Sequence, residues 1–292
     1  MSESEESDNG CPVAHPSHGG DDALTYNSYL KVPELLSLQQ YESDPPAHDE
    51  LLFITIHQAY ELWFKLILFE LDSVVESMAD DQIYEASRLL QRVLEIEELL
   101  VSQIHILETM TPRDFLRFRG ALNPASGFQS IQFREVEFLS GVRDPSVLRH
   151  IQQGDEESRR LKRRLDEPSL RSCFYRLLIR QGFDVQIPPE DGTVSDALRE
   201  KNLDALWKLY RYPEERFHLY TLAESLVKHD QNILLWRFHH VRVVERLIGT
   251  KKGTGGSSGV EYLNSTLQKR AYPLLWEVRG TLSDEEIYGE RK

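Results

Sequence analysis

The most apolar stretch of the chain is LLFITIHQAYELWFKLILFE, residues 51–70. Apolar side chains fall on every face of the helix that this stretch would form, so we predict a long helix over residues 49–75 that is buried on all sides. Polar residues interrupt the stretch at His57, Gln58, Glu61, Lys65 and Glu70. This interruption favours a helix in the core of a protein over a membrane-spanning helix.

The same helical period continues on both sides of this stretch. A second long helix is predicted over residues 82–108, where leucine, valine and isoleucine recur at steps of three and four. The same pattern predicts helices over residues 170–181, 196–212, 214–249, 260–270 and 272–278. No convincing run of alternating apolar and polar residues predicts a strand, so we expect an all-α fold, a helical bundle with long buried helices.

Local signals divide the chain. Residues 111–114 (TPRD) carry the N-cap, proline and acidic residue of a helix start, and residues 126–129 (SGFQ) form a capping box. Residues 1–23 lack apolar periodicity and are predicted to be a disordered acidic tail. We therefore expect a single helical domain over residues 24–280 and a polar C-terminal tail over residues 281–292.

Composition narrows the classes of function. The net charge is −14, which disfavours nucleic acid or an anionic membrane as a partner, because both attract a basic surface. The only cysteines are Cys11 and Cys173, too few for a disulfide framework, and the N-terminus carries no apolar signal segment. We expect reduced thiols and a cytoplasmic protein.

Two adjacent histidines, His239 and His240, lie on the last long helix and must point to different faces. Five of the six positions three, four and seven residues from His240 are apolar, whereas half of those around His239 are polar or charged. His240 is therefore expected to face the core and His239 its rim. A single histidine on an apolar face is more often a hydrogen-bonded core residue than a ligand, and this reading stays open.

A second histidine, His57, lies in the middle of the most apolar helix with Phe53, Tyr60 and Phe64 on its face. A buried neutral imidazole needs a donor and an acceptor as partners, and Glu61, one turn further on, is one candidate. Two buried histidines on different helices among aromatic residues also fit a haem protein, with one imidazole on the iron and the other on the open side.

Arg119 is predicted to project from an apolar face, because its helical neighbours include Phe115 and Leu122. A buried guanidinium needs an anion. The partner is either one of the many acidic side chains of the protein or the carboxylate of a substrate, bound through two parallel hydrogen bonds.

The Gly- and Ser-rich segment at residues 249–259 (GTKKGTGGSSG) is either a flexible connection or a cradle for a small polar group. It lacks the Gly-Lys-Ser/Thr ending of a phosphate-binding loop, and the chain contains no HExxH, Cys-x-x-Cys, GxSxG or dinucleotide fingerprint. The residues alone therefore predict a helical protein with a possible haem site.

Taken together, five segments resemble the tryptophan 2,3-dioxygenase family. They are residues 24–38 (LTYNSYLKVPELLSL), 51–70, 111–134 (TPRDFLRFRGALNPASGFQSIQFR), 235–241 (LWRFHHV) and 253–259 (GTGGSSG). The resemblance implies an all-helical homotetramer that encloses a b-type haem. It implies cleavage of the indole C2–C3 bond of L-tryptophan by dioxygen at ferrous haem, giving N-formyl-L-kynurenine, the first step of tryptophan breakdown by the kynurenine route.

The resemblance also implies roles for individual residues. His240 matches the proximal iron ligand and His57 the distal histidine that meets the indole N–H. Arg119 matches the arginine that binds the substrate carboxylate, and Thr254 the residue that meets its ammonium group. The remaining matches line or complete the substrate site: Phe53 and Phe115 at the indole, Ser126 near the carboxylate and a haem propionate, and Tyr26 and Tyr29 reaching the site of a neighbouring subunit.

One departure is visible, because Val142-Arg143 stands where the family usually has Asn-Lys. It lies outside the pocket motifs but indicates a divergent member. Two alternatives therefore remain: an oxygenase of the same family that inserts one oxygen atom into a modified tryptophan to give an oxindole-type product, and a non-catalytic sensor of haem or tryptophan.

Overall fold

A computed structural model of the chain describes residues 24–150, 155–249, 251 and 259–283. These residues form helices, turns and loops and contain no β-strand, which confirms the predicted all-α class. Their contacts divide the chain into two units, residues 1–40 and residues 41–292.

The described part of the first unit consists of two short helices, α1 (Tyr26–Leu30) and α2 (Val32–Leu36). Thr25 caps α1 by accepting a hydrogen bond from the backbone N–H of Ser28 at 3.1 Å, and Pro33 lies in the first turn of α2. The apolar side chains of this segment are exposed: Leu24, Tyr26, Tyr29, Leu30, Leu35, Leu36 and Leu38.

In the second unit, three long helices run where the sequence predicts them and differ from the predicted bounds by a few residues. The α-helices are α3 (His48–Ala79), α4 (Ile83–Leu107), α5 (Pro112–Phe118), α6 (Ile131–Ser140), α7 (Glu156–Asp166), α8 (Leu170–Arg180), α9 (Asp196–Arg211), α10 (Phe217–Ile248), α11 (Val260–Ser265) and α12 (Pro273–Glu277). Single turns of 3-10 helix lie at Gly127–Gln129, Pro145–His150, Thr266–Gln268 and Val278–Thr281.

The core of this unit lies between α3, α4 and α10. Helix α4 packs along both of the other two, while α6 and α8 pack against α3. The side chains that fill the space are aliphatic and almost completely buried, among them Leu71, Val74, Leu90, Val93 and Leu222. Burial of each such side chain contributes roughly 1.5–3 kcal/mol, so this packing fixes the positions of the long helices.

The prediction that α3 is buried on all sides is wrong. Leu62 and Phe69 are 54% and 67% exposed in the single chain, because no other described element covers that side of the helix. By length and composition alone α3 also resembles a membrane span. Its opposite side packs against α4, α6 and α8, and its buried Glu70 pairs with Arg92 of α4, as in a core helix.

Buried polar contacts fix α10 against its neighbours. Arg237 forms an ion pair with Glu137 of α6, and Glu137 also pairs with Arg134 at 2.6 Å. Further along α10, Asp230 accepts hydrogen bonds from the backbone N–H of Ala271 at 3.0 Å and from the indole N–H of Trp276 at 2.8 Å. Because hydrogen bonds are directional, these contacts set the rotation of α10 about its axis as well as its position.

The departure at Val142-Arg143 has a structural role. Arg143 donates hydrogen bonds to the backbone carbonyls of Leu165, at 2.7 Å, and Glu167, which lie at the end of α7. The guanidinium thereby holds the connection after α6 against the α7 terminus. These contacts explain the arginine without a role in substrate binding.

Candidate active site

His57 lies in the middle of α3, and its ring has a defined tautomer. The ring Nδ1 lies 2.7 Å from the backbone carbonyl of Phe53, which can only accept, so Nδ1 carries the proton and donates it. Burial lowers the pKa of His57 below its ordinary value, against smaller raising effects of the Phe53 carbonyl and Glu61. The ring is therefore neutral at pH 7, and Nε2, which has no hydrogen-bond partner among the described residues, is an acceptor.

Glu61 is not the partner of His57. Its carboxylate accepts hydrogen bonds from the Ser130 hydroxyl at 2.6 Å and from the Gln132 amide at 2.8 Å. These bonds tie α3 to the start of α6. The structural alternative in which Glu61 satisfies His57 is therefore wrong, and the backbone takes that place.

Aromatic rings line the α3 side of the site. The Phe53 ring lies 4.0 Å from the His57 ring, 5.8 Å from the Phe115 ring and 5.6 Å from the Phe118 ring, measured between centroids. Phe115 and Phe118 come from α5, and their own rings meet edge to face at 5.3 Å. The two phenylalanines predicted to meet an indole, Phe53 and Phe115, are thus brought together, and Phe118 is a further member of the cluster that was not predicted.

His240 lies on α10 with its ring stacked on Trp236, one turn earlier, at a centroid distance of 5.2 Å and an interplanar angle of 14°. Burial, with smaller contributions in the same direction from the His57 and Arg134 side chains, lowers the pKa of His240 to about 4. Within the described residues, neither ring nitrogen has a hydrogen-bond partner. The structure thus holds a neutral imidazole with an available lone pair.

The two histidines belong to one site. Both imidazoles contact the same group of aromatic rings: the His240 ring is stacked on Trp236, and the His57 ring lies next to Phe53 and Tyr60. A chain of edge-to-face contacts also links them: the Tyr60 ring lies 6.4 Å from His57 and 5.9 Å from Trp236. Tyr60, Trp236 and Phe133, whose ring lies 4.7 Å from Trp236, are the site neighbours that the sequence prediction left unassigned.

His239 faces another direction. Its ring meets that of His105 on α4 at 4.9 Å, with the planes at 81°. Both His239 and His240 are half-buried, so the expected contrast between core and rim appears in what each ring contacts and not in how deeply each is buried.

Arg119 directly follows α5, and its backbone N–H caps that helix by donating to the carbonyl of Phe115 at 2.9 Å. The residue is half-buried, less than the apolar neighbours in the sequence led us to expect, because the helix ends before it. The same short segment therefore carries Phe115 and Phe118 into the aromatic cluster and ends in a guanidinium.

Ser126 forms the predicted capping box. Its hydroxyl accepts from the backbone N–H of Phe128 at 3.3 Å, and the Gln129 side chain accepts from the Ser126 backbone N–H at 3.0 Å. Thr254 lies outside the described residues. Tyr26 and Tyr29 belong to the first unit, where both side chains are exposed.

Two buried donors near His240 have no acceptor among the described residues. They are the indole N–H of Trp236 and the Nε–H of Arg134, whose guanidinium lies over the Phe133 ring at 4.9 Å. An unpaired buried donor costs roughly 1–3 kcal/mol, so these groups call for an acceptor that the described residues do not supply. An acidic group bound beside His240 would provide it.

A third histidine forms an arrangement that resembles a hydrolase triad. His229 on α10 lies 2.8 Å from the Ser140 hydroxyl and 2.6 Å from the Glu97 carboxylate, and all three are buried. The Ser140 hydroxyl already donates its single proton to the carbonyl of Val136 at 2.6 Å, so His229 must donate to the serine and to Glu97. Burial alone would lower the pKa of His229, but the Glu97 carboxylate raises it overall. The imidazole is thus a charged structural tie between α4, α6 and α10, with no proton acceptor left for a nucleophile.

Comparison with known proteins agrees with the resemblance of the motifs. The profile of the tryptophan 2,3-dioxygenase family matches residues 11–181 and 194–282. Among similar proteins, tryptophan 2,3-dioxygenase of Nocardioides sp. is 50% identical over 264 residues, covering 89% of this chain and 95% of its own. The corresponding enzyme of Herpetosiphon aurantiacus is 45% identical, covering 89% and 99%. That of Anaeromyxobacter sp. is 43% identical over 276 residues, covering 93% and 99%.

Proposed function

The chain belongs to the tryptophan 2,3-dioxygenase family and is an oxidoreductase that acts on tryptophan with dioxygen, and we propose how its own residues carry that reaction. The proposed reaction cleaves the indole C2–C3 bond of L-tryptophan and gives N-formyl-L-kynurenine. The observation that carries the proposal is a pair of imidazoles, His57 and His240, that are linked by ring contacts through Tyr60 and Trp236.

His57 orients the indole. Because its Nδ1 proton is engaged by the Phe53 carbonyl, the Nε2 lone pair is presented for the indole N–H, which is a donor only. Phe53 and Phe115 contact each other with ring centroids 5.8 Å apart and offer adjacent apolar ring surfaces for the flat indole. A hydrogen bond at one edge and ring contacts on the faces together fix the orientation of the substrate.

Arg119 binds the substrate carboxylate. It is half-buried, so its charge is less screened than that of a surface arginine, and its planar guanidinium suits two parallel hydrogen bonds to a carboxylate. We assign Ser126 a place near the same carboxylate and Thr254 the contact with the ammonium group, by the match of the family's motifs. The two charged ends of the amino acid are then held while the indole lies against the phenylalanines.

The residues present fit haem. His240 would hold the haem iron through its neutral imidazole, and the unpaired donors of Trp236 and Arg134 would suit the carboxylates that haem carries. When bound, ferrous haem b supplies the activation of dioxygen. The protein residues position the substrate and exclude water, which leaves the difficult oxygen chemistry to the cofactor.

We also propose a homotetramer located in the cytoplasm, with the N-terminal segment docked on a neighbouring subunit. The exposed apolar side chains of α1 and α2, including Tyr26 and Tyr29, need a surface to cover them, and the exposed side of α3 at Leu62 and Phe69 has the same need. Cys173 is a free buried thiol, as expected in a reducing compartment.

The test is to incubate the reduced, haem-loaded protein with L-tryptophan in air and to take a mass spectrum of the product. We expect a Soret band and a product that has gained two oxygen atoms. A product that gains one oxygen atom, or turnover only with a substituted tryptophan, would indicate the oxindole-forming alternative. Binding of haem and tryptophan without turnover would indicate a sensor, and a protein without a Soret band would refute the haem site.

A further inference from the structure

A cluster of three metal-binding side chains lies on the outer side of the α4–α10 contact. His105, Glu108 and His239 each present one potential ligand atom, and these atoms lie within 4.8 Å of one another. The proposed dioxygenase site uses none of the three. His105 is exposed and the other two are half-buried, so the cluster is open to ions from solution.

The fold explains why these residues meet. His105 and Glu108 are three residues apart at the C-terminal end of α4 and therefore share a face. Helix α10 packs along α4 and brings His239 against His105, with ring centroids 4.9 Å apart and planes at 81°. The contact places ring nitrogens of both histidines close to the Glu108 carboxylate.

The present partners of these groups are weak. His105 Nδ1 lies 3.5 Å from Glu108 Oε2, and Arg246 approaches the same oxygen at 3.4 Å. The Arg246 side chain is 62% exposed, so its ion pair with Glu108 contributes little and is readily exchanged for water. Within the described residues, the His239 ring has no hydrogen-bond partner.

We propose that His105, Glu108 and His239 bind one divalent transition-metal ion of the zinc class. Two imidazoles and one carboxylate form a donor set used by protein zinc sites, and a water molecule on the exposed side would complete four-coordination. Zinc bonds of about 2.0–2.1 Å place tetrahedral ligand atoms about 3.3–3.4 Å apart, so small side-chain rotations close the present spacing. Magnesium and calcium prefer oxygen ligands and are not expected to bind.

The ion would link the end of α4 to α10 directly beside His240. Metal ligands on two helices cross-link them in the folded state only, so bound zinc stabilises the folded chain by mass action. We expect the melting temperature to rise with zinc concentration, and the rise to be lost when a ligand is removed.

The experiment is equilibrium dialysis of the haem-loaded full-length protein against zinc chloride, with zinc and iron measured in the same samples by atomic emission. We expect one zinc ion per chain in addition to the haem iron. Loss of a residue that only hydrogen-bonds to a metal ligand weakens metal binding roughly 10–100-fold. The ligand variants His105→Ala, Glu108→Gln and His239→Ala should therefore weaken zinc binding at least tenfold while the Soret band stays unchanged.

Two further variants serve as controls. His218→Ala removes an exposed imidazole from the same helix as His239 and should leave zinc binding unchanged. Arg246→Gln removes a competing cation from Glu108 and should therefore tighten zinc binding. The Arg246 side chain is exposed, so the fold should tolerate this substitution. Equal zinc binding by wild type and His239→Ala would place the ion elsewhere in the chain, for example at Cys11, His15 or His18, and would overturn the proposal. Unchanged or weaker zinc binding by Arg246→Gln would also overturn the proposal.

Discussion

Replacing His57 by alanine distinguishes a substrate-binding role from a structural one. Among the described residues, the His57 ring makes a single hydrogen bond, from Nδ1 to the Phe53 carbonyl. That carbonyl also accepts the regular helical bond from the backbone of residue 57, so losing the imidazole leaves no unsatisfied group in α3. We therefore expect a melting temperature and a haem content close to those of the wild type.

The expected loss appears in substrate binding and turnover. Removing the acceptor for the indole N–H removes about one hydrogen bond, which contributes roughly 0.5–1.5 kcal/mol, or up to about tenfold. The low pKa of His57, caused first by burial, keeps the ring neutral at pH 7, so no charge-assisted bond of greater strength is lost. A loss of several orders of magnitude would indicate that His57 takes a direct part in the chemistry.

A substrate methylated at the indole nitrogen provides the cross-check. It has no N–H, so the variant and the wild type should differ much less with this substrate than with L-tryptophan, and the ratio of the two effects gives the coupling between His57 and the indole N–H. His48→Ala removes an exposed imidazole from the first turn of the same helix and serves as the matched control. An equal loss with both substrates, measured as kcat/KM, would refute the hydrogen bond.

Three further predictions address other parts of the proposal. His240→Ala should lose haem while His239→Ala keeps a normal Soret band, because only His240 is stacked on Trp236 within reach of His57, and the reverse result would contradict the ligand assignment. Arg119→Lys should weaken L-tryptophan binding, and Arg119→Ala should cost roughly 2–5 kcal/mol. Binding of tryptamine, which lacks the carboxylate, should not change with either substitution. If tryptamine binds the wild type as tightly as tryptophan does, the role of Arg119 is structural. Deleting residues 1–20 should leave activity unchanged, whereas deleting residues 1–30 should reduce it and disturb assembly, as gel filtration and activity assays would show. A fully active monomer lacking residues 1–30 would rule out the exchanged segment.

The helical class and the long helices could be predicted because their signal is local. Apolar residues at steps of three and four define α4 and α10 to within a few residues, and Thr111 and Ser126 cap their segments as their side chains predict. The different directions of the His239 and His240 side chains could also be predicted, because they follow from helix geometry and the polarity of the surrounding positions.

The errors concern partners that lie far away in sequence. Glu61 is one turn from His57, but it is held by Ser130 and Gln132, some 70 residues further on, as the separations of 69 and 71 show. The exposed side of α3 could not be foreseen either, because an apolar sequence does not show which of its faces another element covers. A separate error is local. The pattern predicts that Arg119 lies within a helix, but α5 ends at Phe118. Helix ends are the least certain feature of a sequence pattern.

The position of His240 depends on residues outside the site. Successive residues of an α-helix point about 100° apart, so a rotation of α10 by one residue would place His239 where His240 now lies. Apolar packing alone disfavours such a rotation but does not exclude it. Directional polar bonds exclude it, because the rotated helix could not form them. His229 is hydrogen-bonded to Glu97 and Ser140, and Arg237 forms an ion pair with Glu137. These bonds to α4 and α6, on either side of Trp236, fix the rotation of α10 about its axis. Buried ion pairs often add little to net stability, but here they select a single register. That register stacks the His240 ring on Trp236 and places the His239 ring against His105, so two adjacent histidines have different surroundings.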